Sequence, residues 1–161
     1  DYSYSVTKVL INYGGKNTIN QKNNSGKTPF QVLLQNEFFY PLQIELFVLN
    51  CPEVLEKDEK GDNILHIIFS KRGEFSEKIL KQFPHLLKEQ NNEGQTPFHV
   101  AALKGNFVSK LLNFIDHSIA NIKDNNGRTI LNCIFSNIQD PVYRRTTPKY
   151  FVKKLIEKVN F

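Results

Sequence analysis

Four glycines, Gly26, Gly61, Gly94 and Gly127, recur at steps of 35, 33 and 33 residues. A fixed period of this length predicts a repeat architecture, in which each unit buries its apolar face only against its neighbours. Each glycine comes three residues after Asn23, Asp58, Asn91 or Asp124 and two before Thr28, Asn63, Thr96 or Thr129. The chemistry of the three positions differs. Glycine gives a reversing chain its positive φ without a Cβ penalty. The Asn or Asp side chain bonds the turn backbone, and the Thr or Asn accepts from the free amides of a helix start. Pro29 and Pro97 suit the first helical position, and Gln31 stands at capping-box spacing from Thr28.

Beyond each start a first helix is expected, most clearly Val100-Ala101-Ala102 ahead of Lys104-Gly105-Asn106. A second helix is expected from near Phe107, with Val108, Leu111, Leu112 and Ile115 on its core-facing side. At the start of the chain, Val6, Val9 and Leu10 lie at helical spacing with Gly14 as a C-cap. They predict the second helix of a half repeat, and a chain that opens inside a motif and holds no methionine reads as a fragment. At the other end Tyr150, Phe151, Val152, Leu155, Ile156 and Val159 form an apolar face, interleaved with Lys149, Lys153, Lys154 and Lys158. That pattern predicts a closing helix whose outer side meets water. The resulting division is a partial repeat at 1–22, repeats at 23–57, 58–90 and 91–123, and a last repeat with a loop insertion and capping helix at 124–161, all in one domain.

These segments, and Thr96 to Asn106 almost position for position, resemble the ankyrin repeat. The resemblance implies an all-α ankyrin-repeat solenoid of about four helix-turn-helix repeats plus an N-terminal half repeat. Two units depart from the family pattern: Asn63-Ile64 and Thr129-Ile130 replace Thr-Pro, and Ile67-Ile68-Phe69 and Cys133-Ile134-Phe135 stand where alanines are usual. Those repeats are expected to splay their helices slightly. His66 and His99 take, by the resemblance, the structural role of tying a turn to the neighbouring repeat.

Composition narrows the function classes. The formal charge of +5 comes from lysines scattered over all repeats, which reads as a solvated basic surface. Clustered arginines and aromatic stacking platforms are lacking, so nucleic acid is not the expected partner. No apolar run approaches the roughly 18 residues of a membrane span. Cys51 and Cys133 stand more than two repeats apart, which argues against a disulfide and for a reduced, cytoplasmic setting. The excess of Lys over Arg, with abundant Asn, Ile and Phe, hints at an AT-rich genome and a host-directed pathogen protein acting in the host cytosol.

No HExxH, CxxC pair, phosphate-cradling loop or nucleophile elbow occurs. His66, His85, His99 and His117 have no Cys, Asp or Glu at metal-ligand spacing. The chain is therefore expected to be no enzyme, to hold no metal or cofactor and to take no small-molecule substrate.

The function that the resemblance implies is a non-catalytic protein-protein interaction module. The alternative is a targeting or substrate-recruiting domain of a larger enzyme whose catalytic part lies elsewhere. Ankyrin-like arrays meet partners across turn tips and inner-helix ends. Carried over, these are Lys27, Glu59, Lys60, Asp62, Glu93, Gln95, Asn125, Asn126 and Arg128 on the turns, and Lys71, Arg72, Leu103 and Lys104 at the helix ends. Two length departures add to them: Glu37-Phe38-Phe39-Tyr40-Pro41, and Asn137 to Thr147 with Tyr143-Arg144-Arg145. Insertions in solenoids map to loops on one face, often the binding face. Lys71, Arg72, Lys104, Arg144 and Arg145 are thus expected to share one rim that receives an acidic segment of a protein partner.

Overall fold

Each glycine turn hands the chain to a capping side chain, and this sets where the helices begin. The structure, a computed structural model, describes residues 2–36, 40–71, 75–106, 109–137 and 149–159. Their α-helices are α1 (Tyr2–Asn20), α2 (Pro29–Gln35), α3 (Pro41–Asn50), α4 (Ile64–Phe69), α5 (Glu77–Gln82), α6 (Pro97–Lys104), α7 (His117–Ala120), α8 (Ile130–Asn137) and α9 (Lys149–Val159). Short 3-10 helices lie at Pro52–Leu55, Pro84–Leu87 and Ser109–Phe114. Among the described residues there is no strand, so the fold is all-α. The chain forms two compact units, one of Asp1–Glu56 with Arg72–Gln82 and one of Lys57–Lys71 with Phe83–Phe161.

In the first unit, Thr28 caps α2: its Oγ1 accepts from Gln31 N, and Gln31 Oε1 accepts from Thr28 N at 3.0 Å. α1 packs on α2 and α3, and α3 on α5. Phe30 and Phe47 stack at a tilt, 5.0 Å between ring centres. Burying such side chains contributes about 1.5–3 kcal/mol each. Glu45 accepts from the Ser76 hydroxyl and from Lys78 Nζ, and these two donors, the hydroxyl first, hold its carboxyl below the usual range.

α1 corrects two expectations. Its helix does not end at Gly14. The break is at Gly15, with φ 64° and ψ 172°, after which helix resumes. Nor do Val6 and Val9 face inward: both are exposed, while Thr7 and Ile19 are buried. Thr7 Oγ1 accepts from Nε2 of Gln43, itself buried, at 3.2 Å. The helix thus turns Thr7, and not Val6 and Val9, toward α3.

In the second unit α4 packs on α6, and α6 on α8. Ile64, Leu65, Ile68, Phe98, Ala101, Ala102, Ile130 and Ile134 are buried between them. Phe69 of α4 meets Phe98 of α6 at 5.4 Å. Proline at the start of α6 and Gly105 at φ 68° after its end bound that helix. α9 packs on α7, α8 and the Ser109–Phe114 helix, burying Phe151 and Leu155. Its apolar face is narrower than expected, since Tyr150 and Ile156 are exposed.

The second helix of the third repeat also differs from expectation. Leu111, Leu112 and Ile115 are buried, but Leu111 and Leu112 lie on a 3-10 helix, and Phe107 and Val108 lie outside the described residues. Asp116 supplies the reason. Its backbone is extended (φ −98°, ψ 175°), and its carboxylate accepts from Ile119 N at 2.8 Å to open α7. A continuous helix cannot pass through a residue in that conformation.

Candidate binding surface

The four glycine turns share one geometry. At Asn23, Asp58, Asn91 and Asp124 the side-chain Oδ1 accepts two backbone N–H groups, from the residues two and four positions on, at 2.8–3.0 Å. Gly26, Gly61, Gly94 and Gly127 all have φ of 72–73°. The expected role of both residue types holds.

Within the second unit the turns are stitched to one another at a constant stride. Asn92 donates its backbone N–H to Lys60 O and its Nδ2 to Glu59 O, both at 3.0 Å. Thirty-three residues on, Asn125 donates in the same way to Glu93 O and Asn92 O, again at 3.0 Å. Lys57 Nζ donates to Gln90 O, and Gln90 Nε2 to Lys123 O. Below the turns, His66 Nδ1 accepts from Asn63 N and its Nε2 meets Gln95 O at 2.8 Å. His99 repeats this with Thr96 N and Arg128 O, the latter at 3.0 Å. Both rings are fully buried, and burial lowers both pKa values, outweighing the carbonyl bonds that favour the charged form. At His99, accepting at Nδ1 and donating at Nε2 is a role for neutral imidazole; at His66, Nδ1 also lies 2.8 Å from Asn63 Oδ1.

The far ends of the helices are tied by asparagines. Asn106 Nδ2 donates to Phe69 O at 3.1 Å, and Asn137 Nδ2 to Ala102 O and Leu103 O at 2.9 and 2.7 Å. Carbonyls left over at a helix C-terminus need such donors.

This stitching sorts the expected partner residues. Lys27, Glu59, Lys60, Glu93, Asn125 and Asn126 are exposed, and so is Lys104; Lys71 and Leu103 are half-buried. Gln95 is not at the surface as expected: it is buried, its carbonyl meets His66, and its Nε2 donates to Glu93 Oε2 at 2.7 Å. Asp62 accepts from Asn91 Nδ2. Arg128 is held by the buried carboxylate of Asp124, with Nε and Nη2 at 2.8 and 2.7 Å from Oδ2. Burial pushes the Asp124 carboxyl up, but the Arg128 guanidinium and the turn amides together outweigh it and hold it below the usual range. Arg72, Tyr143, Arg144, Arg145 and the aromatic run Phe38-Phe39 lie outside the described residues.

The sequence reading missed Asn92, Asn106, Asn125 and Asn137 as stitching donors. For Asn92 and Asn125 the signal was the recurrence of asparagine 33 residues apart, whereas Asn106 and Asn137 are 31 residues apart and show no such register. It also missed a cleft of about 320 Å³ between the Ser109–Phe114 helix and α9, lined by Lys110, Tyr150, Lys154 and Lys158 among others. Lys154 Nζ is paired there with Glu157 Oε2 at 2.7 Å.

The remaining chemistry-bearing groups are accounted for. Cys51 and Cys133 are buried cysteines, and burial pushes the Cys133 thiol up, away from the reactive thiolate. His85 and His117 are exposed. Among the described residues no three His, Cys, Asp or Glu side chains group to hold a metal ion, and no helix is long and apolar enough to cross a membrane. No protein-family model and no curated protein matches this chain.

Proposed function

We propose that the chain is an ankyrin-type protein-binding module with no chemistry of its own. The observation that supports this reading is a division of labour inside each turn of the second unit. The backbone carbonyls of Glu59, Lys60, Asn92 and Glu93 join turn to turn, while the side chains of Glu59 and Lys60 stand exposed and take no part in the stitch. Side chains released from structural duty on a rigid base form an interaction surface at low entropic cost. The buried histidines and cysteines, by contrast, are taken up by packing and hydrogen bonds.

The partner chemistry we propose is an acidic protein segment, received by Lys60 on the turns and by the rim that contains Lys71 and Lys104. Lys60 and Lys104 are exposed, and Lys104 sits at the C-terminal end of α6. The test is capture from lysate followed by binding measurements on the recovered partner, comparing wild type with Lys60→Glu plus Lys104→Glu. The variant should lose at least about tenfold in affinity, or about 1.4 kcal/mol, with most of the change in association rate at low salt and an unaltered melting temperature. Equal rates for the two proteins would remove the acidic segment. Loss of capture only in variants that also unfold would remove the binding surface itself.

A further inference from the structure

The cleft between the Ser109–Phe114 helix and α9 gathers cations that the stitched turns do not use. Lys154 and Lys158 stand four residues apart on α9 and so on one side of it. Both are half-buried and line the cleft, whereas Lys153 is exposed and does not line it. Lys110 comes to the same cleft from the Ser109–Phe114 helix. Of these three lysines, Lys154 alone has an acidic partner among the described residues, Glu157, whose Oε2 is 2.7 Å from its Nζ. No Asp or Glu lines the cleft. Ammonium groups gathered without an acid between them repel one another, and an anion that enters relieves the repulsion.

The lining narrows the choice of anion. Lys110 and Lys158 present two positive charges without a partner, of which a carboxylate would offset one. A phosphate monoester carries a charge of about −1.5 to −2 at neutral pH and three acceptor oxygens. The Ser109 hydroxyl and the Asn113 amide line the same cleft and can donate to those oxygens. The rest of the lining is Leu112, 5% exposed, and Tyr150, whose ring is 59% exposed and open to a second ring. A volume of about 320 Å³ stands at the lower end of the range of about 300–1,000 Å³ in which proteins enclose small ligands, and suits one side chain with its phosphate.

We infer that this cleft takes a phosphotyrosine side chain of a protein partner, with Lys110 and Lys158 on the phosphate and Tyr150 against the ring. The inference rests on the protein-binding reading for the source of that side chain, and it uses none of the rim lysines.

The probe is N-acetyl-phosphotyrosine amide, titrated into the full chain at neutral pH and followed by the backbone amide resonances. Saturable shifts should cluster at Ser109–Phe114 and along α9. The probe should bind at least about fivefold more tightly than the phosphoserine analogue or inorganic phosphate, which lack a ring for Tyr150. Lys110→Gln with Lys158→Gln should weaken it at least about tenfold; Lys110→Gln alone serves if the double variant melts lower than wild type. Tyr150→Ala should reduce the probe to the affinity of the phosphoserine analogue, and Lys60→Glu with Lys104→Glu should leave it unchanged. A chain that captures no acidic partner yet binds the probe through Lys110 and Lys158 keeps the cleft and loses the rim. One whose capture depends on the rim and that ignores the probe keeps the rim and loses the cleft. Undiminished binding in the lysine variants, or adenosine monophosphate or the phosphoserine analogue binding as tightly as the probe, would overturn the inference.

Discussion

Gly94 and Gly127 do the same job in sequence and different jobs in the structure. Both close a turn whose Asn or Asp accepts two backbone amides, both have φ of 72°, and both precede a capped helix. Gly94, however, lies under the backbone and side chain of Asn125, while nothing stands over Gly127 within 4 Å. One glycine is required twice, for its dihedral and for the close approach of a neighbour. The other is required once. The neighbouring histidine position divides the same way, with His99 buried against the next turn and Asn132 exposed, turned back on its own Thr129. Two turns of one motif thus differ in energetics according to whether a neighbouring turn lies over them.

The largest expected effect tests that difference directly. Gly94→Ala should destabilise by about 3–5 kcal/mol, combining the positive-φ penalty with loss of the two Asn125 bonds. Gly127→Ala should cost only the dihedral, about 1–2 kcal/mol. Urea midpoints at constant m-value read both. Equal losses would mean that the neighbour yields to the new methyl and that the two glycines are equivalent.

Next is acidity. His66 and His99 have folded-state pKa values below the ordinary value of about 6.5, so the unfolded chain takes up protons first as pH falls. The stability they contribute is fully present above about pH 6.5 and is lost below it, with a slope of up to about 1.4 kcal/mol per pH unit for each ring. Thermal melts between neutral and mildly acid pH should fall for wild type and fall less steeply for His99→Ala. Parallel curves would exclude His99 as the source of the slope.

At neutral pH His99→Ala should cost about 1–3 kcal/mol, because Thr96 N–H and Arg128 O are then left unpaired in the interior. Its counterpart beside the uncovered turn, Asn132→Ala, removes a bond already exposed to water and should cost at most about 1 kcal/mol. Asn137→Ala should likewise stay small, at about 0.5–1.5 kcal/mol, since water can replace part of what Nδ2 gives to the end of α6. A loss in Asn132→Ala as large as in His99→Ala would erase the distinction between covered and uncovered turns.

Turns, caps and first helices were legible in the sequence because each depends on residues within four positions of one another. Asn23 to Thr28 and Asn91 to Thr96 contain everything their geometry needs. The second helices were less legible. Leu111, Leu112 and Ile115 show an apolar rhythm compatible with one long helix, yet the Asp116 cap divides it. At α1 and α9, apolar spacing named more inward residues than were buried, because a rhythm gives a face and not how much of that face a neighbour covers. The candidate surface was only half legible. Lys60, Glu93 and Asn126 could be placed by position in the turn, and the Asp124–Arg128 pair lies within four residues, but the burial of Gln95 under His66 depends on a residue 29 positions away.

The sequence by itself determined the period, the positive-φ glycines, the capping pairs and the all-α class, since these follow from local backbone conformation and short-range hydrogen bonds. Only the tertiary structure decided which glycine has a neighbour above it, which histidine is sealed, and which asparagines join one unit to the next. Those outcomes depend on whether a second segment arrives at a site, and identical local motifs carry no record of that arrival.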